Sequence, residues 1–281
     1  MHFQFYYVPR RLLIFAVSLL IMRKTALITG VTSGIGLELA RLFAIAGYDL
    51  VVVSRSKDKL KRVKEEFERE FHIGVLAIAQ DLSLDGAPER IVKELDKREI
   101  ELDVLINNAG VGEFGLFWEQ DPEKIRHMIH LNALALTDLT RLIVPKMVSR
   151  GRGRIANIGS VASFFPGPYM AVYFATKAYV LSFTQALSEE LSGTGVSATC
   201  VCPGRTATGF QRESHQESSR AIKGKRLLSP EFVARLAFDA IMKRDVVCII
   251  GFRAKLNALL SKVLPLWLVR RIAKSKMAPI R

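Results

Sequence analysis

The chain is poor in the residues that would make it a metal or disulfide protein. It has three cysteines in 281 residues, and Cys200, Cys202 and Cys248 show no metal-ligand spacing. Cys200 and Cys202 are expected on opposite faces of a strand, and all three read as buried free thiols in a reducing, cytoplasmic compartment. The five histidines form no metal pattern; His127 and His130 share a helix face and nothing more. No metal is expected. Internal repeats and low-complexity linkers are absent. No apolar run reaches the roughly 20 residues needed to cross a bilayer. The longest, "LLIFAVSLLIM" at 12–22, would make a helix of about 16 Å. It follows Arg10-Arg11 as a signal h-region would, but no small-x-small cleavage site comes after it. Residues 1–23 therefore read as an interfacial anchor, or residues 1–21 as lying ahead of a true start at Met22, since "MRKTALITG" is a natural opening for the fold below.

Acid is missing from both ends. Residues 1–24 carry four Lys or Arg and residues 252–281 carry eight, with no Asp or Glu in either stretch, so the ends hold most of the net charge of +14. The middle is close to neutral. A basic body suited to nucleic acid is not indicated, whereas two basic ends on an enzyme-like body are.

What is present is alternation. "TALIT" (25–29), "DLVVVS" (49–54), "IGVLAIA" (73–79), "DVLIN" (103–107), "RIANIG" (154–159), "VSATCV" (196–201) and "VVCII" (246–250) are apolar strand candidates. Helical patterns fall between them, at 35–46, 57–71, 85–98, 121–149, 169–192 and 229–244. Continuous apolar strands joined by helices predict an α/β fold: a doubly wound parallel sheet of Rossmann type, one domain over 24–251. Residues 252–281 form a basic amphipathic extension. Leu256, Leu259, Leu260, Val263 and Leu264 make an apolar stripe, and Pro265 ends one helix before "LWLVRRIAKSK" begins another. Such helices lie on anionic membranes, which makes the protein cytoplasmic or peripheral at a membrane; packing on the enzyme body or against a second subunit are the alternatives.

"TGVTSGIG" (29–36) sits between the first strand and the first helix. Gly30, Gly34 and Gly36 permit a tight turn and close backbone approach, and the helix N-terminus offers N–H groups to a pyrophosphate. At the end of the second strand, where an NAD site needs a carboxylate for the ribose hydroxyls, the chain has Ser54, Arg55, Ser56 and Lys57. A guanidinium there suits a 2′-phosphate, so NADP(H) is the expected cofactor.

With these motifs in order, the sequence resembles the short-chain dehydrogenase/reductase family over about 24–251. "TGVTSGIG" is similar to its cofactor fingerprint, "NNAG" (107–110) to its motif after strand four, Asp81-Leu82 to its adenine-contacting pair, and "PGRTAT" (203–208) to its loop beside the nicotinamide. Asn132, Ser160, Tyr173 and Lys177 fit its catalytic tetrad. The resemblance implies cofactor contacts from Gly30, Thr32, Ser33, Gly34, Ile35, Gly36, Arg55, Asp81, Leu82, Asn108, Ala109 and Gly110. It implies further contacts from Tyr173, Lys177, Pro203, Gly204, Thr206 and Thr208, and substrate contact from Ser160. It also implies a homodimer or homotetramer built through the helices at 121–149 and 169–192. Gly112 and Gly115 extend "NNAG" in a way similar to a subgroup of lipophilic-carbonyl reductases.

The spacing of Tyr173 and Lys177 then has a chemical reason. Residues four apart share a helix face, so the lysine can sit beside the phenol and the nicotinamide ribose, and its cation is expected to lower the phenol pKa. In reduction Tyr173 would protonate the carbonyl oxygen while Ser160 holds it. Asn132 would hold a water linking Lys177 to solvent, as the resemblance implies. Phe164, Phe165, Tyr169 and Met170 are expected to line an apolar pocket, and the polar stretch 209–228 to cover it as a lid. The reading is an NADP(H)-dependent reductase or dehydrogenase acting on a small-molecule carbonyl or alcohol. Its rival is a catalytically silent NADP(H)-binding regulator, against which the intact Asn-Ser-Tyr-Lys set argues.

Overall fold

The computed structural model describes residues 23–280 apart from residues 217, 218, 223 and 225. The anchor-or-start reading of the N-terminal segment lies outside the described residues. Seven strands form one parallel sheet in the order β3-β2-β1-β4-β5-β6-β7. They are β1 (Thr25–Thr29), β2 (Asp49–Ser54), β3 (Val75–Ala79), β4 (Val104–Asn107), β5 (Gly153–Ile158), β6 (Val196–Pro203) and β7 (Val247–Ile250). Between them run α1 (Gly34–Ile45), α2 (Lys57–Phe71), α3 (Ala87–Lys97), α4 (Pro122–Ile129), α5 (Ala135–Ser149), α6 (Ala171–Glu190), the short α7 (Phe210–Glu213) and α8 (Pro230–Lys243). Two further helices, α9 (Phe252–Val263) and α10 (Leu266–Met277), follow the last strand.

The unbroken apolar strands are explained by burial on both faces. Ala26 and Ile28 of β1 point into one core with Phe43, Phe67 and α8 residues such as Val233. Leu27, between them, points into the other with Ile91, Leu105, Leu139 and Met147. Each fully buried Leu or Phe contributes about 1.5–3 kcal/mol. β1 pairs with both β2 and β4, Leu27 facing Val51 on one side and Leu105 on the other. The winding reverses between β1 and β4, and in such a sheet the crevice at the carboxyl ends of these strands takes the ligand.

Two expectations are corrected here. Cys200 and Cys202 do not face opposite ways: residues two apart in a strand share a face, and their sulfurs lie 3.6 Å apart, buried. The helix expected over 121–149 is interrupted. α4 and α5 are joined by a π turn at His130–Leu134, which carries the buried Asn132. An inserted turn of this kind re-aims side chains at the cost of regular hydrogen bonding and is common at functional sites.

Candidate active site

A cleft of about 760 Å³ opens along the carboxyl ends of the strands. Every residue expected to touch cofactor or substrate lines it except Gly34, and of the expected tetrad only Asn132 does not. A Cβ on Gly34 would meet Thr208 Cγ2 at 2.9 Å, so that glycine lets the β6 loop close over the first turn. Asn132 stands behind the cleft wall, 1% exposed.

At the nucleotide end, α1 starts bare. Its N-cap Ser33 makes no side-chain cap and no acid follows in the first turn, whereas α2, α4 and α8 are capped by Ser56, Asp121 and Ser229. Those unpaired N–H groups and the helix dipole are what a pyrophosphate needs. The backbone must come close here. Gly30 has φ 69° with Ala109 Cα at 2.9 Å from the place of a Cβ, and a Cβ on Gly36 would lie 2.4 Å from the Gly30 carbonyl oxygen. Asn108 Nδ2 donates to the Thr29 and Gly30 oxygens at 2.8 and 3.0 Å, and Asn108 and Ala109 donate their N–H groups to Thr29 Oγ1. The "NNAG" segment is thus a clamp on the glycine turn. Thr32 Oγ1 lies 3.5 Å from Ser54 Oγ, and Arg55 lines the cleft next to it. Burial would raise the Asp81 carboxyl, but its hydrogen bonds from the Ser83 N–H and hydroxyl, with the charges of Arg55 and His127, outweigh this and hold it below the usual range. The residues present fit a dinucleotide: bare helix end, glycine cradle and a cation at the adenine side.

At the reacting end, Ser160 caps a short 3-10 turn, accepting the Ala162 N–H at 3.1 Å. Tyr173 and Lys177 come from α6. Burial pushes the Tyr173 phenol up to about 12, and hydrogen bonding to Ser160 offsets only part of this. This corrects the expectation that Lys177 lowers it. The ammonium lies 5.9 Å from the Tyr173 ring centroid, donates to the Ile158 carbonyl at 2.7 Å, and is itself drawn down to about 8 by burial. The lysine is a desolvated, weakened cation with one backbone partner. Asn132 is also differently employed. Its Nδ2 donates to Val111 O and Thr176 Oγ1, and its Oδ1 accepts the Val111 N–H. Both amide hydrogens are spent, so the side chain could meet the expected water only as an acceptor through Oδ1.

Of the four expected pocket residues, Phe165 and Met170 line the cleft. Phe164 packs against the core around Leu136 and Val180, and Tyr169, at φ 68°, packs on Phe114 with centroids 5.8 Å apart. Described residues of the stretch 209–228 line the cleft, among them Phe210, which stacks obliquely on Tyr173 at 5.2 Å. A Cβ on Gly112 would meet that phenyl's Cζ at 2.7 Å, so a larger residue there would displace the ring.

Sequence reasoning missed the first two of three features and held the third, the tail packed on the enzyme body, only as an alternative. A buried polar chain crosses the sheet, Asn107 Nδ2 donating to Thr140 Oγ1 and Asn157 Oδ1, and Asn157 Nδ2 to Thr184 Oγ1. Arg205 lines the cleft. The tail forms its far wall: Leu260, Leu264, Val269, Ile272 and Met277 face the cavity, and Met277 packs with Met170, Phe174 and Ala221. Lid and tail are tied, Ser219 Oγ donating to Met277 O at 3.1 Å and the Arg220 N–H to Ala278 O at 3.0 Å.

A parallel sheet with a bare helix end at its switch point is a dinucleotide-binding fold, and comparison with known proteins narrows it. The family model described as short chain dehydrogenase matches residues 24–219, and the chain belongs to that family. It is 38% identical over 187 residues to the rat very-long-chain 3-oxoacyl-CoA reductase, covering 65% of this chain but 59% of the relative, so the match spans under two thirds of that protein's length. The cattle protein of that name is 32% identical over 260 residues, covering 88% of this chain and 78% of its own. Among solved structures, a short-chain dehydrogenase from Sphingobium yanoikuyae in complex with NADPH superposes with a TM-score of 0.76 at 32% identity, covering 92% of this chain and 98% of that one. The L-sorbose reductase of Gluconobacter frateurii, complexed with NADPH and L-sorbose, gives 0.73 at 27% identity, covering 82% and 95%.

Proposed function

We propose that the protein is an NADPH-dependent reductase of a carbonyl on a lipophilic substrate, most simply a 3-oxoacyl thioester. The observation that carries this reading is the position of Ser160, Tyr173 and Lys177 at the junction of a phosphate-suited half and an apolar half of one cleft. The cofactor would supply a hydride to the carbonyl carbon. Tyr173, fully protonated at neutral pH with its phenol at about 12, gives its proton to the oxygen as charge develops there. Ser160 orients that oxygen. Lys177, its ammonium 5.9 Å from the phenol ring centroid, would hold cofactor hydroxyls. The product is the secondary alcohol. The names of the relatives support the acyl class; the apolar wall of Met170, Phe174, Val269 and Met277 supports a hydrocarbon chain.

The test is turnover of NADPH and NADH with 3-oxoacyl thioesters and simple ketones. NADPH should be preferred, and Arg55→Ala should weaken NADPH binding about ten-fold or more, the worth of a charge-assisted phosphate contact, with NADH little changed. Equal losses for both cofactors would remove Arg55 as the 2′-phosphate reader. If simple ketones turn over and the thioesters do not, the acyl reading fails while the reductase stands.

The same reading makes the protein peripheral at an anionic membrane. Phe252, Leu259, Val263, Leu266 and Trp267 are exposed on α9 and α10, Phe252 at 82%, among cations and no acid. Among the described residues no helix is long and apolar enough to cross a membrane, so attachment would be in the interface. Full-length protein should sediment with vesicles containing anionic lipid, less so at high salt. A quintuple variant placing Ser or Gln at those five positions should stay in the supernatant. Equal recovery in the supernatant for both forms at low salt would end this part of the proposal. Assembly as a homodimer or homotetramer belongs to the proposal as well, and light scattering at low protein concentration reads it.

A further inference from the structure

The substrate end of the cleft is apolar on its walls and cationic at its rim. Arg205, Arg226, Arg253 and Lys276 all line the cavity, from four different segments: the β6 loop, the lid, the start of α9 and the end of α10. The β6 loop and α9 are in contact, the Gly204 N–H donating to Ile250 O at 2.9 Å, with Ala254 Cβ 3.5 Å from the place of a Gly204 Cβ. Arg205 and Arg253 are therefore brought to one place by chain segments 48 residues apart. Arg205 donates to the Ala221 carbonyl of the lid. Among the described residues, none of the four cations forms an ion pair. Burial, with the charge of Arg253 adding to it, pulls the Arg205 guanidinium below its usual value.

Two carboxylates also line the cleft, and neither answers this cluster. Asp81 is held by Ser83 at the adenine side. Glu213 folds back toward Gly209, its Oε1 3.5 Å from the place of a Cβ there. Arg205 is half-buried and Arg226, Arg253 and Lys276 are exposed around it; like charges brought together without counterions repel one another and are relieved when an anion arrives. The cofactor does not supply that anion. Its pyrophosphate would take the bare N-terminus of α1 and its 2′-phosphate Arg55, neither of which belongs to these four segments.

We infer that Arg205, Arg253, Arg226 and Lys276 form a subsite for the phosphates of a coenzyme A thioester, which seats the carrier at the cleft rim while its acyl chain lies along the apolar wall. The inference rests on the acyl-thioester reading above. Coenzyme A is favoured over a carrier protein's single phosphodiester because its pyrophosphate and 3′-phosphate match a group of several cations spread over four segments. Arginine suits such groups through its bidentate fork.

The experiment compares 3-oxoacyl thioesters of coenzyme A, of 4′-phosphopantetheine and of pantetheine at saturating NADPH. The KM of the pantetheine thioester should exceed that of the coenzyme A thioester by about ten-fold or more, with the phosphopantetheine thioester between. In Arg253→Gln, and more so in Arg205→Gln/Arg253→Gln, that ratio should fall toward unity. Equal KM values for the three thioesters in the native protein would overturn the subsite. So would variants that raise all three KM values alike, a result of packing and not of charge. A native preference for phosphopantetheine equal to that for coenzyme A would assign the subsite to the single phosphate that a carrier protein also presents, against the choice made here. If no thioester turns over, the substrate reading fails, and calorimetric titration of coenzyme A and of pantetheine into the NADPH-saturated protein decides the subsite separately. Salt-sensitive binding of coenzyme A alone, lost in the double variant, supports it; absence of binding overturns it.

Discussion

Tyr173→Phe is expected to lower kcat by about 10²–10⁴-fold, the contribution of a positioned general acid, and to leave NADPH affinity close to native. The ring itself is well held without its hydroxyl: Phe174 and Phe210 pack against it with centroids at 6.0 and 5.2 Å. The fold should therefore survive, and the loss should be chemical. With its phenol at about 12, Tyr173 is a proton donor across the physiological range, and phenylalanine has nothing to give. Single-turnover oxidation of pre-bound NADPH isolates the step from product release. A rate within ten-fold of native would mean that another group delivers the proton.

The sheet was legible because its strands are apolar without interruption and because a parallel sheet buries both faces. That Ser160, Tyr173 and Lys177 would come to one cleft was legible from Ser160 and the order of the motifs, beyond the shared helix turn of Tyr173 and Lys177. What escaped was set by three-dimensional closeness. The π turn around Asn132 has no periodic signature, since "IHLNALAL" reads as ordinary helix. Arg205 was passed over inside a motif in which Pro203, Gly204, Thr206 and Thr208 had assigned contacts. The electrostatic expectation for Tyr173 failed because it weighed a nearby cation and left out desolvation, which acts on both partners and here is the largest cause for each. The tail's apolar stripe was visible, but one face of it closes the cleft while other residues of the same helices remain exposed, a division that spacing alone does not make.

Gly36→Ala should be among the most damaging single-methyl changes at the nucleotide end of the cleft. In a helix interior this substitution ordinarily stabilises by about 0.5–1 kcal/mol. Here the added Cβ would stand 2.3 Å from Asn108 Nδ2 and 2.4 Å from the Gly30 carbonyl oxygen. Neither can yield cheaply. The oxygen is backbone in the tight turn, and the amide holds that turn through its bonds to Thr29 and Gly30. α1 must move away from the β4 loop, taking its unpaired N–H groups from the pyrophosphate position, and displacements near 1 Å cost on the order of 100-fold in well-positioned sites. NADPH affinity should fall by about that factor, with a lower Tm. Affinity within three-fold of native would show that the turn absorbs the methyl and that its tightness is not what binds the nucleotide.

The tie between lid and tail has a consequence for synthesis. Chains fold from the N-terminus as they leave the ribosome, and the residues expected to meet the nucleotide are complete by Thr208, while the apolar wall begun by Met170 and Phe174 is finished by Phe210, Ala221 and the two tail helices. The nucleotide half therefore emerges first, and the chamber for the second reactant is completed afterwards by Ser219 and Arg220 catching the end of α10. Exchanging residues 210–280 for those of a sister protein would alter which molecule is admitted and leave the hydride chemistry with its original owner.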